Sequence, residues 1–326
     1  MTGASPTSSG GQPIRLTAAQ AIDLALKQHN QGQHQRSLAL CLRLLGNHPH
    51  HFTLLYLTAL NYGQLGDHAQ ALVFMLRAAE VQPSHAAILS DIANTLRILG
   101  RHQESMDYCL KALALKPDYV DALSNLGNAC YMLQRFDEAL ASYDRALALA
   151  PHHVNSLSNR GNVLLELKHP EQALACFRQA LAQQPDHLGS LNNLGNALFA
   201  LHRLEEAANQ YRRALAQQPD YPDALNNLGC VLLELAQPEQ ALVCFNRLLA
   251  RDPQSEQGLY GRGNCLKQLN RFPETIHCWQ QLLNQKPAYP YLRGALFSLR
   301  QNCCDWQDYD ACEQALLTAV LSGSKA

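Results

Sequence analysis

The sequence predicts an all-α fold, a solenoid of stacked helix pairs, on three observations. Proline recurs as Pro49, Pro83, Pro117, Pro151, Pro185, Pro219, Pro253 and Pro287, each 34 residues after the last, without insertion or deletion. Counting back from each proline after the first, a leucine stands 28 residues earlier (Leu55, Leu89, Leu123, Leu157, Leu191, Leu225, Leu259) and a small residue 24 earlier (Ala59, Ala93, Gly127, Gly161, Gly195, Gly229, Gly263). A four-residue separation marks one face of a helix. A second small column lies 12 before the proline (Ala71, Ser105, Ala139, Ala173, Ala207, Ala241), with a bulky one eight before it (Met75, Tyr143, Phe177, Tyr211, Phe245, Trp279). Each period thus reads as two amphipathic helices whose apolar faces meet.

These columns at this period resemble the tetratricopeptide repeat, a helix-turn-helix unit that stacks on its neighbours. The resemblance covers nearly the whole chain. It implies a right-handed superhelix of eight repeats within residues 15–287, closed by a C-terminal pair of capping helices over residues 288–321.

Taken in order, residues 1–14 are rich in Gly, Ser, Thr and Pro and read as a disordered leader. The first three repeats, 16–49, 50–83 and 84–117, are the least regular, with Asp23 and Asp91 where later ones carry asparagine. Divergence is expected in a terminal repeat, which has a face without a neighbour. Repeats 118–151, 152–185, 186–219 and 220–253 are close to one pattern, and 254–287 departs from it at Gly261 and Thr275. The break between helices is expected about 15 to 17 residues before the proline, with Pro170 and Pro238 in the first turn of the second helix. Residues 322–326 form a short tail.

A formal net charge of -1, from 26 basic and 27 acidic residues, provides no field to attract nucleic acid or an anionic membrane. No apolar run approaches the roughly 18 residues of a spanning helix, and the first residues have neither the basic start nor the apolar core of a secretory signal. The 11 cysteines mostly occupy columns that are apolar in sister repeats, as Cys41, Cys109, Cys130, Cys176, Cys244 and Cys278 do. Core thiols of that kind suit a reducing compartment, so the expected location is the cytoplasm.

Two columns carry the candidate binding chemistry. On a helix turning about 100° per residue, positions 26 and 23 before the proline point away from the leucine. The first column is Asp91, Asn125, Asn159, Asn193 and Asn227; the second is Asn94, Asn128, Asn162, Asn196, Cys230 and Asn264. A carboxamide offers both a donor and an acceptor, which suits holding the peptide bonds of an extended polypeptide in a concave groove. The same amides could instead hydrogen-bond between neighbouring helices, and both readings stand. Tyr56, Tyr131, Phe199 and Tyr260 lie near this surface as added pockets or as packing. Some tetratricopeptide modules grip a chaperone's terminal carboxylate with basic residues. Here Ser124, Ser158, Asn192, Asn226 and Asp121, Asn155, Gly189, Asp223 hold the matching positions, with no lysine or arginine.

After Pro287 the period stops, and Cys304-Asp305-Trp306-Gln307-Asp308-Tyr309-Asp310 is similar to the segment that joins repeats to catalytic domain in O-linked N-acetylglucosamine transferases and their bacterial relatives. In that family the asparagine rows bind substrate polypeptide. The resemblance implies that Trp306 and Tyr309 pack a terminal helix pair on the eighth repeat. Only 16 residues follow Asp310, too few for a nucleotide-sugar transferase domain. Clusters at His48, His50, His51, at His152, His153 and at Cys303, Cys304, Cys312 show no convergence of ligands. The expectation is therefore a protein-binding scaffold without catalytic residues, metal or cofactor. The alternative is the non-catalytic, substrate-selecting region of such a transferase. Self-association through the convex face is a further expected partnership.

Overall fold

The computed structural model describes residues 17–303 and 309–321, which contain 18 α-helices and no strand. They fall into two compact units, divided after Pro151. The first unit holds α1 (Ala18–Asn30), α2 (His34–Leu45), α3 (Phe52–Gln64), α4 (His68–Val81), α5 (Ala86–Ile98), α6 (His102–Leu115), α7 (Val120–Met132) and α8 (Phe136–Leu149). The second holds α9 (Val154–Glu166), α10 (Pro170–Gln183), α11 (Leu188–Ala200), α12 (Leu204–Gln217), α13 (Pro222–Glu234), α14 (Pro238–Arg251), α15 (Glu256–Gln268), α16 (Phe272–Gln285), α17 (Leu292–Asn302) and α18 (Tyr309–Leu321). Each period up to Pro287 carries two helices, and within a unit each helix packs on the next. Contacts of α1 with α3, α5 with α7, and α9, α11, α13 and α15 in succession set odd-numbered helices side by side. The fold is an all-α solenoid.

The leucine column is core throughout, none of its seven members more than 7% exposed. Burying one such side chain stabilises by roughly 1.5–3 kcal/mol. The small column explains itself against the bulky one. A Cβ built on Gly127, Gly161, Gly195, Gly229 or Gly263 would meet the ring of Tyr143, Phe177, Tyr211, Phe245 or Trp279 at 2.6, 2.6, 2.4, 2.6 or 2.1 Å. Where the facing residue is Cys41, Met75 or Cys109, the small position is Ala25, Ala59 or Ala93. The helix pair keeps its spacing because one methyl group is exchanged for ring volume.

The turn within each repeat sits slightly earlier than the sequence suggests, at Leu133, Gln134 and Arg135 in the fourth. Its middle residue is left-handed in every repeat. Glycine fills the position first (Gly32, Gly66 and Gly100, φ 74°, 84° and 75°), then Gln134, Lys168, His202, Ala236 and Asn270 (φ 59°, 62°, 57°, 54° and 56°). The Gln134 and Arg135 amides donate to Tyr131 and Cys130 carbonyls at 2.9 and 2.8 Å, the Schellman pattern that ends a helix and fixes the turn. Pro170 and Pro238 begin α10 and α14, where a missing N–H breaks no helical bond. Two first helices are capped by imidazole: His85 Nδ1 accepts from the Ile88 amide at 3.3 Å and His187 Nδ1 from the Ser190 amide at 3.2 Å. Burial holds the His187 pKa below its ordinary value, which keeps that nitrogen an acceptor.

At the end of the second unit, Leu292, Leu296 and Leu299 of α17 join Leu249, Leu259, Trp279, Leu282 and Leu283 in one cluster. α18 packs on α17. The leader, the tail and the Cys304–Asp308 segment with Trp306 lie outside the described residues. The described cysteines are free thiols, seven of nine buried. Among the described residues no helix is long and apolar enough to cross a membrane, and no three His, Cys, Asp or Glu side chains gather as a metal site.

Candidate functional site

The amide rows lie on odd-numbered helices, and within a unit α5 packs beside α7, and α9, α11, α13 and α15 pack in succession. Asn94, Asn125, Asn128, Asn159, Asn162, Asn193, Asn196, Asn227 and Asn264 are all half-buried, so neither row stands free in solvent. Asn125, Asn193 and Asn227 extend over the gap to the adjacent odd helix.

In the first unit, Asn125 Nδ2 donates to the Ser90 hydroxyl at 3.0 Å and to its carbonyl at 3.3 Å, tying α7 to α5. Asn128 Oδ1 accepts from the Tyr143 hydroxyl at 2.6 Å, and Asn94 Oδ1 from Arg97 at 3.0 Å. In the second unit the amides bond to one another. Asn193 Nδ2 donates to Asn162 Oδ1 at 2.8 Å, and Asn193 Oδ1 accepts from Asn192 at 3.1 Å and from Asn196 at 3.4 Å. Asn227 Nδ2 donates to Asn192 and Asn196 at 3.2 and 3.0 Å, while its Oδ1 accepts from Asn226 at 3.3 Å. The Tyr211 hydroxyl adds a bond to Asn196 Oδ1 at 2.7 Å. Asn159 and Asn264 sit in the same columns on α9 and α15.

A carboxamide has two N–H groups and two acceptor lone pairs. After these bonds Asn193 retains one N–H and Asn227 one lone pair. None of the ladder's polar atoms is both buried and without a partner. The network locks the rotamers, which leaves the outward groups pre-oriented.

The sequence pattern undervalues Asn192 and Asn226. Asn192 is 4% exposed and joins Asn193 to Asn227. The signal is the adjacent pairs Asn192-Asn193 and Asn226-Asn227, which set two amides on neighbouring edges of one helix. The amide row changes character at α5. There Asp91 replaces asparagine and accepts a hydrogen bond from the Tyr56 hydroxyl of α3. Burial pushes the Tyr56 hydroxyl pKa up, reinforced by the Asp91 hydrogen bond and charge.

Models of the tetratricopeptide repeat match residues 52–85, 84–152, 118–186, 158–222 and 198–262, a continuous span of more than half the chain. The chain belongs to the tetratricopeptide-repeat family. Proteins of that family act as scaffolds for protein–protein interaction. Solved tetratricopeptide structures share the fold. The Cut9–Hcn1 hetero-tetramer of the APC/C is similar at a TM-score of 0.67 and 16% identity, over 82% of this chain and 52% of that one. PilF of Pseudomonas aeruginosa gives 0.55 at 22% identity, over 64% and 94%. TTC0263, a thermophilic TPR protein in Thermus thermophilus, gives 0.52 at 25% identity, over 56% and 100%. No curated protein matches.

Proposed function

We propose that the chain is a non-catalytic scaffold that binds an extended segment of a partner protein along the amide rows. Asn125, Asn159, Asn193 and Asn227 are the main contacts, and Asn94, Asn128, Asn162, Asn196 and Asn264 the secondary ones. The observation that carries this reading is the state of the second-unit amides. They are fixed by one another, yet half-exposed with donors and acceptors to spare. Peptide bonds offer the matching groups at every residue of a strand, so recognition of this kind is tolerant of sequence. Contacts repeated along one strand multiply in affinity.

Site-specific photo-crosslinking tests the reading. A benzophenone amino acid at Asn159 or Asn264 is expected to form adducts with partner polypeptide. The same probe at Val243, 59% exposed on the even-numbered helix α14, is expected to form none. Adducts at Val243 with a second copy of the chain, and none at the ladder positions, would overturn groove binding in favour of self-association through the even-helix face.

A further inference from the structure

We infer that the surface around Asp91 and Tyr56 is a subsite for a basic side chain, lysine or arginine, of the bound polypeptide. This inference rests on the peptide-binding reading above and specifies what the first unit adds to it.

Two kinds of group meet there. The rings of Phe52 and Tyr56 stack at 5.9 Å, and His85 lies 5.2 Å from Phe52 and 6.5 Å from Tyr56. Asp121, in the first turn of α7, adds a negative charge that acts on Asp91, and Tyr119 is the N-cap residue of the same helix. Phe52, Tyr56, His85, Asp91 and Tyr119 are half-buried, and Asp121 is exposed. The result is a patch of aromatic faces with the Asp91 carboxylate beside them. An organic cation is drawn to both, through the ring quadrupole and through charge.

Asp91 has no Lys or Arg ion-pair partner among the described residues; its hydrogen-bond partner is a phenol. Burial pushes its carboxyl above the usual carboxylate range, and the Tyr56 hydrogen bond acts against that shift. A bound cation would stabilise the charged form that burial disfavours.

A pair of rings in the second unit has an ammonium and an acid of the chain beside it. Tyr260, in the column of Tyr56, lies 5.4 Å from Tyr289. There Lys286 reaches over the Tyr289 ring at 6.0 Å and pairs with Glu256 at 2.7 Å. At the first-unit patch, exposed Lys116 lies 5.1 Å from the centre of the Tyr119 ring. Glu256 is paired by the chain's own lysine, whereas Asp91 is paired by no Lys or Arg among the described residues. Charge complementarity therefore assigns the Asp91 patch to a cation from the partner.

The test uses the whole chain and two probes. One is a short unstructured Ser/Thr/Ala peptide with a central arginine, or with uncharged citrulline in its place. The other is N-acetyl-arginine methylamide, followed by NMR at the Tyr56 and Tyr119 rings. At low salt the arginine peptide is expected to bind about tenfold more tightly than the citrulline peptide. Asp91→Asn, which installs the residue of the sister repeats, is expected to bring the ratio close to one while the protein still melts cooperatively. The arginine amide is expected to shift the ring signals in wild type and not in the variant. Equal binding of the two peptides, or a preference kept by Asp91→Asn, overturns the cation subsite and leaves the amide lane standing. Ring shifts without capture of either peptide uphold the subsite and overturn the lane. Neither shifts nor capture overturns both.

Discussion

Gly161 and Phe177 show how little space separates the two helices of a repeat. The Cβ of an alanine at 161 would stand 2.6 Å from Phe177 Cε1, well inside contact distance, and Phe177 is fully buried with nowhere to move. Gly161→Ala is expected to destabilise by about 1–3 kcal/mol, the cost of overpacking a full core. Phe177→Met should also destabilise alone, by leaving a void. Together they recreate the Ala59–Met75 pair of the second repeat, so the double variant should lose less than the two single losses summed. Urea melts of the four proteins give the coupling directly; strict additivity would show that the two positions do not share one volume. Both columns are visible in the sequence, but their exchange of size requires knowing that positions 16 residues apart face each other.

At the scale of the helix pair, the turn is held by one left-handed residue, and five repeats place a side chain where glycine is easier. An L-residue in that conformation costs roughly 1–2 kcal/mol, part of which glycine returns through its freer unfolded chain. Ala236, at φ 54°, has no polar side chain to offset the cost. Ala236→Gly is therefore expected to stabilise by about 0.5–1 kcal/mol, read as a shift in the urea midpoint at unchanged slope. A loss of stability would mean that the Ala236 methyl contributes packing beyond its strain. The helices themselves were legible because an apolar face repeats every three to four residues and proline punctuates each pair. The turn position was less legible, because Gln, Lys, His, Ala and Asn share a backbone conformation without sharing chemistry.

Over a whole unit, the amide rows act as ties between repeats as well as candidate contacts. Asn227 bonds to Asn192 and Asn196 of the preceding repeat, and Asn125 to Ser90. In a repeat array, stability is the sum of each repeat and its nearest-neighbour interfaces. Asn227→Ala should then cost about 1–2 kcal/mol, from three lost bonds and the partners they leave behind. The loss is expected to be local: hydrogen exchange should quicken in α11 and α13 and stay unchanged in α3 to α6. Uniform acceleration through the chain would contradict nearest-neighbour coupling. Binding tests on ladder variants accordingly need the folded fraction measured beside them, since one amide serves both purposes.

The sequence by itself determined the helical class, the period and the two asparagine columns, since each follows from spacing along one chain. Only the tertiary structure decided which amides meet. Hydrogen bonds between residues 31 and 35 apart depend on the separation and tilt of adjacent odd helices, which the packing of rings against glycines sets. The Asp91–Tyr56 surface belongs to the same class of fact: its members come from three repeats and share a face because the helices stack, a relation that no local pattern contains.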